Sequence, residues 1–136
     1  MVIVDGNNVM GQRVGWHRDK PGAQRRLMAE VERLARRENE PHLLVFDAPP
    51  PGGLPGEAGA PRDGSVPLFG VLYARRGSSA DELILERLYH HGNDPEVCVV
   101  TSDRALARQA RVLGARVVSS GQFRRRLERC ARAPEA

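Results

Sequence analysis

Short, almost uninterrupted apolar runs alternate along this chain with longer stretches in which apolar residues return every third or fourth position. The runs are "VIV" from Val2, "HLLVF" from His42, "LFGVLYA" from Leu68, "EVCVV" from Glu96 and "ARVV" from Ala115. Runs of this length without polar alternation are the pattern of strands buried on both faces. Between the first two, Leu27, Val31, Leu34 and Ala35 recur at helical spacing from about Gly22 to Glu38. "SSADELILERLYHHG" predicts a second helix, with Ser79 and Glu82 at capping-box spacing and Gly92 as a stop signal. "DRALARQARVLG" predicts a third, ended by Gly114, and "SGQFRRRLERCARA" a closing basic helix with Phe123, Leu127 and Cys130 on one side. Residues 49–67 are rich in Pro and Gly and have no period, which predicts an exposed, flexible loop.

Strands alternating with helices predict a single α/β domain over residues 1–136, a three-layer sandwich around a mainly parallel five-stranded sheet. Right-handed crossovers place every strand's C-terminal end along one edge, where open α/β sheets bind ligands. Asp5, Asp47 and Asp103 each follow the last apolar residues of a run, so all three are expected at that edge. Asp81 joins them from a helix: Ile84, Leu85 and Leu88 follow it at i+3, i+4 and i+7, so it heads the stripe that faces the sheet. Singly, each aspartate is explained by capping or by a turn. Together they repel, by roughly 4 kcal/mol for a close pair at intermediate dielectric, unless a proton or a cation relieves them. An all-oxygen set suits Mg²⁺ or Mn²⁺.

Composition narrows the picture. Aromatics are only 4% of 136 residues, so the core is aliphatic. No apolar segment approaches the roughly 18 residues of a membrane span, and the short first run lacks the basic lead of a signal peptide. Cys98 and Cys130 lie in unrelated contexts with no metal-ligand spacing, which predicts free buried thiols and a cytoplasmic setting. The net charge of +4 is unevenly distributed: from Arg104 onward nine arginines face Glu128 and Glu135, a local +7. That asymmetry suits a polyanion, although solvated arginine-rich helix faces would produce it too.

Four stretches, "VDGNNVM", "VFDAPPPGG", "SSADELILERL" and "VVTSDRALARQARVLGARVVSSGQF", in this order and spacing, resemble the YacP-like group of NYN domains within the PIN-like nuclease fold. The resemblance implies a metal-dependent endoribonuclease acting on single-stranded RNA; some bacterial members look like ribosome-associated enzymes that cut messenger RNA. It implies Asp5, Asp81 and Asp103 as metal-site acids, with Asp47 as a fourth catalytic or supporting carboxylate. Asn8 would orient a metal ligand or a phosphate, and Thr101 and Ser102 match the polar pair before the last aspartate. Where the family usually carries an aromatic residue, this chain has Asn7.

Among the basic residues, Arg75 and Arg76 follow the third apolar run and Arg104 follows Asp103, positions suited to phosphate; Arg124, Arg125 and Arg126 would add a general positive field. Trp16 and His17 could stack on a base or pack as a lid, His42 reads as a strand-entry residue, and His90 and His91 suit a helix C-terminus. A homodimer through an exposed edge strand is a further expectation. Two other classes fit less well. A non-catalytic RNA-binding or adaptor module has no use for four edge carboxylates. A phosphotransferase or phosphatase with Asp5 as nucleophile lacks the second acid of a DxD pair, because Asn7 stands there. A GxxxxGK[ST] loop is absent from the sequence.

Overall fold

The computed structural model describes residues 1–50, 52, 56–58, 67–91 and 96–133. β1 (Val2–Asp5) runs directly into the short helix α1 (Gly6–Met10), and a 3-10 turn (Trp16–Arg18) leads into α2 (Lys20–Glu38). β2 (His42–Phe46), β3 (Gly56–Ala58) and β4 (Phe69–Tyr73) follow, then α3 (Ala80–His91), β5 (Cys98–Val100), α4 (Arg104–Val112), β6 (Arg116–Val118) and α5 (Ser120–Arg132). The sheet order is β3-β4-β2-β1-β5-β6, and every pairing is parallel except β3 with β4. The chain therefore builds outward from β1 on one side and returns to β1's other side with β5. This reversal is the switch point at which a crevice opens beyond the strand ends.

Strand parity divides the core. Val2 and Val4 point to one face, among Leu27, Val31 and Leu34 of α2 and Phe123 and Leu127 of α5. Ile3 points to the other, among Ile84 and Leu88 of α3 and Leu106 and Ala110 of α4. Each such aliphatic side chain contributes about 1.5–3 kcal/mol when fully buried. Asp5 shares the parity of Ile3, so it is aimed at the face that carries α3 and α4.

Local signals set the helix ends. Asp19 accepts from the Gly22 N–H at the start of α2, and Asn39 closes that helix at φ 52°. α5 has a complete capping box between Ser119 and Gln122. For α3 only half of the expected box forms: Ser79 Oγ accepts from the Glu82 N–H, while the Glu82 carboxylate takes the hydroxyl of Ser78. The step from β1 into α1 demands a glycine, because a Cβ on Gly6 would lie 2.7 Å from the Phe46 ring and from the Val45 carbonyl oxygen.

The five expected strands are present, and the sheet has a sixth. β3 lies inside the segment read as a structureless loop and pairs antiparallel with β4, Gly56 opposite Tyr73 and Ala58 opposite Val71. Gly-Glu-Ala has neither alternation nor β-branching; backbone pairing with the otherwise open edge of β4 makes it a strand. Most of the remaining loop, and the stop signal at Gly92, lie outside the described residues. Cys98 and Cys130 are free and buried, as expected. Among the described residues no helix is long and apolar enough to cross a membrane.

Candidate functional site

Four aspartates from distant parts of the chain gather where β1, β2 and β5 end. Asp5 is the last residue of β1 and is 4% exposed. Its Oδ2 accepts from the Thr101 hydroxyl at 2.9 Å, and Thr101 Oγ1 in turn accepts from the Asp103 N–H at 3.1 Å. One hydroxyl thus ties the β1 carboxylate to the segment that carries Asp103. Asp103 is the N-cap of α4, its Oδ1 accepting from the Leu106 N–H at 3.0 Å.

Asp47, exposed just beyond β2, reaches across to α3, and its Oδ1 accepts from the Ala80 N–H at 2.9 Å. It caps a helix 33 residues away in sequence. Asp81 follows at once, half-buried in the first turn of α3. The capping bond thereby fixes where Asp81 stands relative to the ends of β1 and β2.

The electrostatics record this crowding. Burial, first, and then the neighbouring Asp81 and Asp47 push the Asp5 carboxyl up to about 6, against the opposing pull of the Thr101 hydroxyl and the Asn8 backbone N–H. Burial also raises Asp81, followed by Asp103, Asp47 and Glu82. Among the described residues, however, no three His, Cys, Asp or Glu side chains converge closely enough to hold an ion by themselves. The aspartates sense one another's charge without closing around a common point. Donor chemistry fits a hard divalent cation: carboxylate oxygens, mutually repelling, on an open sheet edge. Asp5, Asp81 and Asp103 are the residues that would hold it.

The polar residues expected to meet substrate divide into two groups. Asn8 Oδ1 accepts from the Ser102 N–H at 2.8 Å and from the Ser120 hydroxyl, and Ser102 Oγ accepts from the Ser120 N–H at 2.9 Å. Asn8, Thr101 and Ser102 are therefore braces that lock β1, β5 and the start of α5 together. Thr101, 2% exposed, is closed to RNA, while the Ser102 side chain is exposed. Arg75, Arg76 and Arg104 are exposed. Arg75 lines a cavity of about 830 Å³ between β4 and α3, together with His90 and His91. Arg104 lines a groove of about 520 Å³ that includes Thr101 and Ser102.

The C-terminal arginine triplet departs from expectation. Arg124 is buried and bonded to both carboxylate oxygens of Glu30 at 3.1 Å, and Arg126 grips both oxygens of Glu38 at 2.7 Å. Two of the three are internal struts between α5 and α2, which leaves Arg125 exposed. Trp16 packs against the core under Lys20, whose ammonium lies 5.7 Å from the ring centroid, so it is not a free stacking platform. His42 does open β2 and is buried.

Two braces escaped the sequence reading. Asn7 Oδ1 accepts from the Asp47 N–H at 2.8 Å, and Ser120 is completely buried at the Asn8 side chain. The adjacent asparagines of "GNN" were the available signal: on a tight strand–helix turn they point to different neighbours, one to β2 and one to β5.

A model of the YacP-like NYN domain family matches residues 2–135. Among the solved structures that share the fold are two of Rae1 (YacP) from Bacillus subtilis. One has a TM-score of 0.74 at 20% identity, covering 97% of this chain and 75% of that one. The other, a tryptophan-to-leucine mutant, has a TM-score of 0.75 at 20% identity, covering 96% and 76%. At that identity the likeness is one of fold. No curated protein matches the chain by sequence.

Proposed function

The chain belongs to the YacP-like NYN domain family, with a nuclease-like fold, and from that premise we propose that it is an endoribonuclease that hydrolyses phosphodiester bonds of single-stranded RNA with Mg²⁺ or Mn²⁺. One observation supports this reading above the others. Asp5, Asp81 and Asp103 come from three separate segments to one switch-point edge, where burial first and neighbouring carboxylates second raise Asp5 and Asp81. A fold selected only for stability gains nothing from such an arrangement, because repulsion between buried-edge carboxylates weakens it.

A divalent ion at this edge would supply a water of lowered pKa and positive charge for the phosphodiester as negative charge develops. Asp5, Asp81 and Asp103 hold that cation. Asp47 acts by position: its bond to the Ala80 N–H keeps Asp81 over the end of β1. Thr101 keeps the Asp5 carboxylate in one rotamer and couples it to Asp103. Arg104, exposed beside Asp103, meets a backbone phosphate, and Arg75 and Arg76 serve RNA on the β4 side. The domain works as one unit in the cytoplasm, and messenger RNA on a ribosome is the substrate the family resemblance favours.

Labelled single-stranded RNA incubated with Mn²⁺, and separately with excess EDTA, tests the reading. Endonucleolytic cleavage is expected with the metal and not with the chelator, and Asp81→Asn is expected to lower the rate by at least 100-fold. Cleavage that ignores EDTA, or that survives Asp81→Asn, removes the mechanism, and no cleavage with the metal leaves a binding module.

A further inference from the structure

We propose that the α4 flank of the molecule is an RNA track: a single-stranded segment beside the scissile phosphate runs down the groove between α4 and the start of α5, its phosphates held by Arg104, Arg108 and Arg111. The proposal deepens the ribonuclease reading and rests on it for the identity of the strand.

Three features of α4 lead there. Arg104, Arg108 and Arg111 stand at i, i+4 and i+7, so they form one row along the helix. All three line the same groove of about 520 Å³, which is bounded across from them by Ser119 and Gln122 and reaches Thr101 and Ser102 at the candidate site. The helix carries no acidic residue, and among the described residues none of the three arginines has a carboxylate partner.

This last point separates the α4 row from the arginines that tie helices together. On the opposite face of the sheet, Arg124 and Arg13 are bonded to Glu30, Arg126 to Glu38 and Arg36 to Glu32. Where the fold uses arginine as a strut it supplies a glutamate; on α4 it supplies none. An uncompensated row of guanidiniums in a concave surface attracts a polyanion and suits the planar, two-pronged geometry of phosphate.

The dimensions agree. From Arg104 to Arg111 the helix rises about 10 Å at roughly 1.5 Å per residue. A stacked strand advances about 3.4 Å per nucleotide, so the row matches roughly three nucleotide steps. α4 begins at Asp103 and runs back toward the other edge of the sheet, so the track starts at the carboxylates and leads away from them.

The test pairs two double variants of equal charge change: Arg108→Gln with Arg111→Gln on the track, and Arg25→Gln with Arg26→Gln on the exposed side of α2. Binding of a fluorescent 12-nucleotide single-stranded RNA is measured in EDTA at several salt concentrations, where cleavage is blocked. The track variant is expected to bind about tenfold more weakly and to lose about 1.4 from the slope of log affinity against log salt, at about 0.7 per phosphate contact. The α2 variant is expected to stay within twofold of the unsubstituted protein. Equal losses from the two variants, or no loss from the track variant, overturn the track. Thermal unfolding of both variants checks that the fold is intact. Cleavage with Mn²⁺ is scored separately: absent cleavage with a surviving binding difference sinks the nuclease reading and keeps the track, and the reverse result sinks the track alone.

Discussion

Asp5 bears two opposed demands. As a buried carboxylate it weakens the fold once ionised, and as a ligand for a cation it is useful only when ionised. Its carboxyl is pushed up to about 6, chiefly by burial. Because this folded value lies above the ordinary one, the stability linked to Asp5 is complete below about pH 4 and is lost as pH rises through about 6; the loss is on the order of 2–3 kcal/mol. Asp5→Asn is therefore expected to raise stability by about 2 kcal/mol at pH 7.5 in EDTA, measured by urea unfolding, while abolishing cleavage. The advantage should shrink as pH falls to 5, where the unsubstituted protein takes up the proton. Mg²⁺ should stabilise the unsubstituted protein and not the variant. An Asn variant that unfolds more easily at pH 7.5 would show that Asp5 is held by its hydrogen bonds rather than strained by its charge. His42 titrates with the opposite sign: burial lowers it despite the Glu40 carbonyl that accepts from Nδ1, so its stability is lost as pH falls below about 6.5. The difference between variant and unsubstituted protein cancels that second effect.

Among the elements, α3 is the one whose placement decides the site. It offers Ile84 and Leu88 to the sheet, which holds the helix down by apolar contact alone at these positions. Asp47 adds a directional tie by accepting from the Ala80 N–H. Asp47→Ala is expected to cost about 1 kcal/mol of stability, the usual value of a lost N-cap. It should lower kcat with little change in KM, because Asp81 loses its register while the RNA surface stays. Asp47→Asn keeps an acceptor oxygen and should recover most of the stability. If instead both variants lose activity equally with stability unchanged, the Asp47 charge acts directly in the chemistry.

For the molecule as a whole, the two faces of the sheet divide the labour. The face with α2 and α5 is knitted by arginine–glutamate pairs, and the face with α3 and α4 carries the carboxylates and the unpaired arginine row. Glu30 is the hub of the first face, bonded to Arg124 at 3.1 Å and to Arg13 at 3.0 Å. Glu30→Gln should cost about 3 kcal/mol in thermal or urea unfolding, because it strands the buried Arg124 guanidinium. Glu38→Gln, whose Arg126 partner is about a third exposed, should cost no more than about 1 kcal/mol. Near-equal losses would mean that Arg124 finds another partner. This division also corrects the meaning of the basic C-terminal third. Its charge is real, but Arg124 and Arg126 of α5 are neutralised locally by Glu30 and Glu38, so the field available to RNA is smaller than the residue count.

The sequence alone determined the order and type of five strands and four helices, the two-sided core and the arrival of Asp5, Asp47, Asp81 and Asp103 at one sheet edge. These follow from periodicity, a property of near neighbours in the chain: alternation sends Ile3 and Asp5 to one face, and a 3.6-residue repeat puts Asp81 above Ile84 and Leu88. Only the tertiary structure decided which groups those aspartates would touch. Asp47 meets Ala80 across 33 positions, Thr101 meets Asp5 across 96, and Arg124 meets Glu30 across 94. β3 likewise exists because β4 left an edge open, and nothing in its three residues announces it. Hydrogen bonds and ion pairs of this kind depend on distances between segments, and those distances are fixed by the packing of the entire core rather than by any local stretch of the chain.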